Sequence, residues 1–192
     1  MHRQALLNKL RNYRPYDQHE REMHEMLISF VESHSNCFER SLKIGHITGS
    51  AWIVDRARTR ALLTHHRKLD RWLQLGGHAD GDADVLRVAL REAREESGLE
   101  DIRPLSEEIF DVDVHPIPAR GAEPRHFHYD VRFLLEADAV VPLVISRESK
   151  NLAWVAFGDI TRITAEPSIG RMVSKSLAWK KWQRTGDNGA FT

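Results

Sequence analysis

The chain has 192 residues, and its 28 Lys and Arg balance its 28 Asp and Glu, so the formal net charge is 0 with its 11 histidines neutral. Proteins that bind nucleic acid in bulk carry a clear basic excess, so this balance argues against nucleic acid as the main partner. Hydrophobic residues make up 41% of the chain and charged residues 29%, which is typical of a globular protein with a core of its own.

Cysteine content and the apolar runs exclude further classes of protein. Cys37 is the single cysteine, which rules out an internal disulfide and a cysteine-rich zinc site. The most apolar run, residues 139–145, is far shorter than the ~18–20 residues of a membrane span. The first residues lead into no apolar signal region. We therefore expect a cytoplasmic protein that has no membrane partner.

Residues 1–40 are predicted to form a helical extension of two helices. Pro15 and Asp17 separate the two helices, and Asp17 is predicted to cap the second one. The second helix carries a stripe of Met, Leu, Phe and Val between residues 23 and 31 at helical spacing. We interpret this stripe as a packing face, with the interface of a homodimer as the alternative.

Residues 41–185 are predicted to form the main domain, and residues 186–192 a tail. A charged turn joins two predicted strands, at 44–54 and 61–66, into a hairpin. The other predicted elements are strands at 109–115, 127–135 and 152–157 and helices at 84–97 and 169–182. Mixed strands with flanking helices predict an α/β or α+β sandwich.

The helix predicted at 84–97 segregates its charges by face. At about 100° per residue, Glu92, Glu95 and Glu96 lie together on one side of the helix. The predicted buried stripe on another side consists of Leu86, Leu90, Ala93 and Ser97. Like charges at these spacings repel one another, and a hard divalent cation such as Mg²⁺ would neutralise them. A solvated acidic face is the simpler interpretation of the three glutamates taken alone.

Residues 77–99 resemble the Nudix box, Gly-x5-Glu-x7-Arg-Glu-U-x-Glu-Glu-x-Gly-U, in which U is a bulky aliphatic residue. The matching residues are Gly77, Arg91, Glu92, Glu95, Glu96, Gly98 and Leu99. A motif with so many fixed positions is specific. Two positions depart from it, because Ala93 is smaller than the usual aliphatic residue and Ala83 replaces the first Glu.

The resemblance implies a fold and an activity. The fold would be a Nudix-like α/β/α sandwich with a mixed central sheet, to which residues 1–40 add the helical extension. The activity would be hydrolysis of the pyrophosphate bond in a nucleoside diphosphate linked to another moiety. The expected substrate is thus a small-molecule nucleotide or nucleotide-sugar, and the expected cofactor is Mg²⁺ or Mn²⁺.

The same resemblance implies roles for individual residues. Glu92, Glu95, Glu96 and the carbonyl of Gly76 would hold the metal. Arg91 would orient the acids, and Glu92 or Glu95 would act as the general base. Candidates for the base outside the box are Glu148 and Glu166.

The missing first Glu affects the environment of Arg91. In the family this Glu pairs with the arginine of the box, and Ala83 cannot form that pair. Asp82 or Asp84 would have to substitute for it from a neighbouring position. The expected cost is a less rigid orientation of the acids rather than loss of the metal, because the three later glutamates are present.

His78, Arg125, His126 and His128 are the candidate substrate-binding residues. His126 and His128 would share one face of a strand that begins slightly before residue 127, and His78 lies beside the Gly-Gly turn. With His115 on a neighbouring strand, these residues suggest a histidine-lined phosphate pocket, although ordinary sheet residues are the alternative. A zinc site is disfavoured, because no second ligand pair occurs at a familiar spacing.

Two other functions compete with hydrolysis. A non-catalytic Nudix module, which binds a nucleotide as a sensor without turnover, would account for Ala83. An isomerase of prenyl diphosphates would need a catalytic cysteine in the site, whereas Cys37 lies in the helical extension. Residues beyond the box do not identify the substrate.

Overall fold

A computed structural model of the chain describes residues 2–121, 123–147 and 149–185, with the side chains of the last range given as far as residue 179. Two predictions lie outside the described residues. They are the assignment of Glu148 as a candidate base and that of residues 186–192 as a tail.

Within these ranges the chain forms five helices and eight strands. In chain order they are α1 (Gln4–Asn12), α2 (Gln18–Ser33), β1 (Gly45–Asp55), β2 (Arg60–His66), β3 (Arg71–Leu73), β4 (Leu75–His78), α3 (Val85–Ser97), β5 (Ile102–Pro104), β6 (Asp111–Ile117), β7 (His126–Ala137), β8 (Ser149–Ala156), α4 (Ile160–Ile163) and α5 (Pro167–Thr185). The sequence pattern does not predict β3, β4, β5 and α4, because such short elements show no periodicity. None of the described helices is long and apolar enough to cross a membrane.

Local side-chain contacts explain where α2 and α3 begin. The Asp17 carboxylate accepts a hydrogen bond from the Glu20 amide at 2.7 Å, which confirms the predicted cap of α2. Asp84 caps α3 in the same way by accepting from the Arg87 amide at 3.1 Å. Gly98 ends α3 in the left-handed region with φ of 70°, a conformation that favours glycine.

The eight strands form one mixed sheet around β1. The predicted hairpin is present, because β1 pairs antiparallel with β2, and β1 also pairs antiparallel with β4. On its other edge β1 runs parallel to β7 over its whole length, from Gly45 opposite Phe127 to Asp55 opposite Ala137. β6 adds to the far edge of β7 in antiparallel orientation.

Helices cover both faces of this sheet. On one face α1, α2 and α3 pack in a core that includes Ile47, Ala51 and Ile53 of β1. On the other face α4 and α5 pack against Trp52 and Val54 of the same strand. The alternation of β1 side chains between the two cores follows from the twofold repeat of a strand. The expected α/β/α sandwich with a mixed sheet is confirmed.

The buried side of α3 differs in part from the predicted stripe. Leu86 and Leu90 are only half-buried, whereas Val85 and Val88 face the core together with Ala89, Ala93 and Ser97. The reason is Gly49 of β1, where a Cβ atom would lie 2.8 Å from the Val85 carbonyl and 3.0 Å from Val88. Without that Cβ the helix lies close against the strand and turns these two valines inward.

The N-terminal helices share their core with the sheet. Leu10 of α1 and Leu27 of α2 are fully buried, and Phe30 stacks on Tyr129 of β7 with ring centroids 3.7 Å apart. This agrees with the packing-face interpretation of the stripe between residues 23 and 31, although Met26 is 42% exposed. The domain boundary at residue 40 and the homodimer stay predictions.

Candidate functional site

The Gly-Gly turn that ends β4 lies against the acidic side of α3. A Cβ atom on Gly77 would lie 2.7 Å from Oε1 of Glu92 and closer still to the carboxyl carbon. The carboxylate of Glu92 therefore occupies the space that any other residue at position 77 would fill. Gly77 is required for this close approach rather than for an unusual backbone angle.

Glu96 contacts the preceding residue of the same turn. The Gly76 amide donates a hydrogen bond to Oε1 of Glu96 at 3.1 Å, which holds this carboxylate beside the peptide group predicted to supply a carbonyl ligand. Glu92 and Glu96 thus meet the turn at consecutive glycines, because residues four apart lie on one side of a helix. Glu95 lies on the same helix and is exposed to solvent.

Arg91 ties the helix to β4 and to Glu92. Its Nη2 atom donates to the His78 carbonyl at 2.9 Å and to Oε1 of Glu92 at 2.7 Å. The hydrogen bond to Glu92, followed by the charges of Glu92 and Glu95, raises the pKa of the guanidinium. This arrangement matches the orienting role that the family resemblance implies for Arg91.

The two neighbouring aspartates bind partners other than Arg91. Asp82 receives hydrogen bonds from Arg87, at 2.8 Å to Oδ2, and from the backbone amide of Asp84 at 2.9 Å. Asp84 is engaged as the cap of α3. Neither carboxylate pairs with Arg91 among the described contacts, so the place of the first Glu at Ala83 has no direct replacement.

The donors at the turn fit a hard divalent cation. Glu92, Glu95, Glu96 and the Gly76 carbonyl offer only oxygen, which is the ligand type that Mg²⁺ prefers. A site for Mg²⁺ needs one or two carboxylates and substrate phosphates rather than a closed protein cage. Glu92 and Glu96 supply two such carboxylates beside the Gly-Gly turn, where the absence of a side chain on Gly77 leaves room for them. Glu166, the candidate base inside the described residues, is ion-paired with Arg71 at 2.6 Å.

Five histidines from four strands meet on the opposite face of the sheet. Gly49 and Gly77 face α3, so the adjoining positions along β1 and β4 point away from it. The residues are His46 of β1, His78 of β4, His115 of β6, and His126 and His128 of β7. The rings of His46 and His128 have centroids 5.0 Å apart, and those of His46 and His78 have centroids 4.9 Å apart.

His46 lies at the centre of this cluster. Its side chain is 2% exposed, and neither ring nitrogen has a hydrogen-bond partner among the described residues. A buried polar group without a partner costs about 1–3 kcal/mol. Two other rings of the cluster do form hydrogen bonds. The ring of His115 is bonded to the Asp113 carboxylate at 3.1 Å, and that of His126 to the Pro124 carbonyl at 2.9 Å.

The environment of the cluster favours neutral imidazoles. Burial lowers the pKa of His46 and of His78 to about 4, and Arg40 and the neighbouring histidines add to this effect. Burial and the four surrounding histidines lower the pKa of His128 to about 2. Near pH 7 these three rings offer nitrogen lone pairs and N–H donors but no positive charge, which weakens their predicted role as phosphate ligands.

The structure brings together three of the four predicted substrate-binding residues. His78, His126 and His128 share the cluster, whereas Arg125 is exposed just before β7 begins. His46 is a functional candidate that sequence analysis misses. It lies opposite His128 only because β1 and β7 pair in parallel, and a parallel register between distant segments leaves no local pattern in the sequence.

Several solved Nudix structures have the same fold. The Ap4A hydrolase of C. elegans in a binary complex aligns with a TM-score of 0.58 and 19% identity, over 70% of this chain and 97% of that one. The NUDIX domain of Shewanella oneidensis NrtR, complexed with ADP ribose, aligns with a TM-score of 0.53 and 14% identity, over 79% of this chain and 97% of that one. The E. coli dihydroneopterin triphosphate pyrophosphohydrolase aligns with a TM-score of 0.51 and 15% identity, over 67% of this chain and 92% of that one.

Sequence comparison identifies the family directly. No significant match to the chain is found among curated proteins. A family-wide sequence profile of the NUDIX domain, by contrast, matches residues 46–175, which contain the whole box and all the candidate site residues. Together with the confirmed fold, this match over more than half of the chain shows that the protein belongs to the Nudix family.

Proposed function

We propose that the protein is a Mg²⁺- or Mn²⁺-dependent hydrolase that cleaves the pyrophosphate bond of a nucleoside diphosphate linked to another moiety. The observation that carries this proposal is the convergence of Glu92 and Glu96 on the Gly-Gly turn, with Arg91 bonded to both Glu92 and β4. A purely structural acidic face would not place two carboxylates against consecutive glycines and fix one of them with a guanidinium.

Each residue has a defined task in this proposal. Glu92, Glu95, Glu96 and the Gly76 carbonyl are the proposed metal ligands, and Arg91 keeps Glu92 turned toward the site. A divalent cation bound there supplies charge neutralisation of the phosphate oxygens and alignment of a water for in-line attack. Glu92 or Glu95 accepts the proton that this water releases.

The phosphoanhydride bond in the proposed substrate is supported by the structural relatives. Two of the aligned proteins are hydrolases of Ap4A and of dihydroneopterin triphosphate, and a third is complexed with ADP ribose. All three compounds contain linked phosphates. These three compounds differ in what the phosphates carry, so they support only the shared phosphoanhydride chemistry, and the nucleoside in the proposed substrate comes from the family resemblance.

Phosphate contacts by Arg125, His78, His126 and His128 are a separate proposal. Arg125 carries a permanent charge, so removing it in Arg125→Ala is expected to raise KM with little change in kcat. For the histidines the variants are His126→Ala and His128→Ala. Turnover and KM that both stay unchanged in these two variants would refute the histidine contact.

The decisive experiment is a substrate screen with added Mg²⁺ or Mn²⁺ and matched variants. Release of phosphate or of a nucleoside monophosphate is measured over a panel of nucleoside diphosphate derivatives. Glu96→Gln is expected to lower kcat by at least about 100-fold, because it removes a charged ligand. Glu100→Gln, an exposed acid just outside the box helix, is the control and should retain full activity. Turnover that survives both chelation and Glu96→Gln would overturn the mechanism.

A non-catalytic nucleotide-binding module is the second candidate. Ala83 favours this module, because it cannot supply the acidic partner that the family has for Arg91 at that position. Asp82 and Asp84 do not replace this partner among the described contacts. The same panel separates the two functions. Tight metal-dependent binding without product release would support the sensor, whereas turnover that depends on Glu96 supports the hydrolase.

A further inference from the structure

We propose that His46, His78 and His128 form a second metal site, which takes Zn²⁺ or a similar transition ion rather than Mg²⁺. Among the described residues these three histidines are the group of possible metal ligands whose donor atoms all lie within 4.8 Å of one another. They come from β1, β4 and β7, three neighbouring strands of the sheet.

The distances suit a tetrahedral ion after a small adjustment. Zinc–nitrogen bonds of about 2.0–2.1 Å put the nitrogens of a tetrahedral site roughly 3.3 Å apart. The three rings would therefore close by no more than about 1.5 Å, which rotation of the half-buried His78 and His128 side chains can supply. Three ligands leave the fourth tetrahedral position to water.

The unpartnered nitrogens of His46 are a second and independent observation. A buried imidazole without any hydrogen bond is unusual, because buried polar groups are nearly always satisfied. His46 is the deepest of the three rings and touches both of the others. A metal ion between the rings would give one of its nitrogens the partner that the protein does not provide.

The chemistry of the donors and the surrounding charge decide which ion would bind. Three imidazoles suit zinc and related transition ions, whereas Mg²⁺ prefers oxygen. The charged groups that act on His46 include Arg40, Asp80 and Glu123. Arg40 is ion-paired with Asp80, which offsets its positive charge, and the negative charge of Glu123 is compatible with a bound cation.

This site is distinct from the glutamate site proposed above. The histidines lie on the sheet face opposite α3 and share no ligand with Glu92, Glu95 or Glu96. The proposal therefore does not depend on hydrolysis. A metal held here would occupy nitrogens of His78 and His128, so this proposal is an alternative to the direct phosphate contact proposed above for these two residues.

The test is retention of Zn²⁺ by the full chain in the presence of excess Mg²⁺. Metal-stripped protein is loaded with Zn²⁺, dialysed against Mg²⁺ and analysed for bound metal, and affinity is measured by titration against a zinc chelator. We expect one Zn²⁺ per chain in the parent protein and an affinity lower by at least about 100-fold in His46→Ala and in His128→Ala. The double variant Glu92→Gln, Glu96→Gln should bind zinc like the parent.

His115→Ala is the matched control, because its ring contacts His128 with centroids 5.5 Å apart without belonging to the trio. Zinc retention equal to that of the parent is expected for it. If His46→Ala fails to fold, the half-buried His128→Ala decides the result, and Co²⁺ provides a spectroscopic check through the visible absorption of a tetrahedral site. The proposal would be overturned if the parent protein retained no zinc, or if His46→Ala and His128→Ala retained as much zinc as the parent. It would also be overturned if His115→Ala lost as much zinc as those two variants.

Discussion

Gly77 shows how a single missing side chain can position Glu92, one of the proposed metal ligands. The carboxylate of Glu92 fills the place of a Cβ atom at this residue, and Arg91 holds it there. A methyl group at position 77 must push the carboxylate away, since the backbone of β4 is fixed by its pairing with β1. The end of a glutamate side chain moves at little cost, so the change should affect catalysis far more than folding.

We therefore predict that Gly77→Ala lowers kcat/KM by about 10–100-fold, as expected for a displaced ligand. The free energy of unfolding should change by less than about 1 kcal/mol. Steady-state kinetics and urea denaturation measure the two effects. Gly158→Ala is the control, because nothing lies within 4 Å of the added atom. Parent-like activity in Gly77→Ala would show that the position of Glu92 is unimportant.

At the scale of elements, buried charges join α2 to α5 and to the edge of the sheet. Glu20 of α2 is fully buried and accepts hydrogen bonds from the Tyr13 hydroxyl, the Val112 amide and the Lys175 ammonium. Lys175 of α5 also donates to Asp111 of β6 at 2.9 Å. This network connects the helical layers on the two sides of the sheet.

Removal of one charge from this network should be costly. We predict that Glu20→Gln lowers the free energy of unfolding by about 3 kcal/mol, because Lys175 then keeps only Asp111 as a buried counter-charge. The control on the same helix is Glu32→Gln, whose partner Arg11 is exposed and whose loss should cost at most about 1 kcal/mol. Urea unfolding of both variants measures the difference. Equal losses of unfolding free energy in the two variants would contradict a stabilising role of the buried charge network.

The aspartates of β6 should make stability depend on acid pH. Burial alone would raise the pKa values of Asp111 and Asp113. Arg171 and Lys175 beside Asp111, and Arg132 beside Asp113, outweigh burial and lower both pKa values. A carboxylate whose folded pKa is below its unfolded value of about 3.9 adds stability above that pH and loses it as the pH falls.

We accordingly predict that the free energy of unfolding falls in two stages as the pH drops. Below about pH 6.5 the unfolded chain protonates His46, His78 and His128 while the folded chain keeps them neutral. Below about pH 4 the two aspartates add a further decrease. Urea denaturation at a series of pH values measures this curve. Asp113→Asn removes one of the two aspartates and should make the part of the curve below about pH 4 less steep. An unchanged slope of that part in this variant would rule out Asp113 as a source of the dependence.

At the scale of the whole molecule, the first two helices are packed as part of the sandwich. Their buried residues Leu10, Leu27 and Val31 lie in the same core as α3 and the sheet. The NUDIX profile begins only at residue 46, so this packing lies outside the family match. The helices therefore complete the hydrophobic core although they are additional to the matched domain.

A chain that begins at residue 41 is a direct test of this dependence. We predict that it is insoluble or unfolds without a cooperative transition, because several fully buried apolar side chains lose their partners. The control lacks only residues 186–192, the predicted tail, and should unfold like the parent. Circular dichroism during heating measures both, and a cooperative transition in the shortened chain would support the predicted boundary as that of an independent domain.

Local sequence pattern was sufficient for the box and for much of the secondary structure. The predicted cap at Asp17, the hairpin of β1 and β2 and the box helix are all present, because each depends on residues close together in the chain. The prediction of which α3 residues are buried was only partly correct. Its orientation depends on Gly49, which comes from another element and which helical periodicity does not include.

The sequence alone thus identifies the Nudix box and names the acids that we propose as metal ligands, since their spacing on one helix determines which side they share. Tertiary structure alone reveals how those acids meet the Gly-Gly turn, and that His46 joins His78 and His128. These contacts arise from the parallel pairing of β1 with β7 and the packing of α3 on β1. Both depend on contacts between segments far apart in the chain, about which local periodicity carries no information.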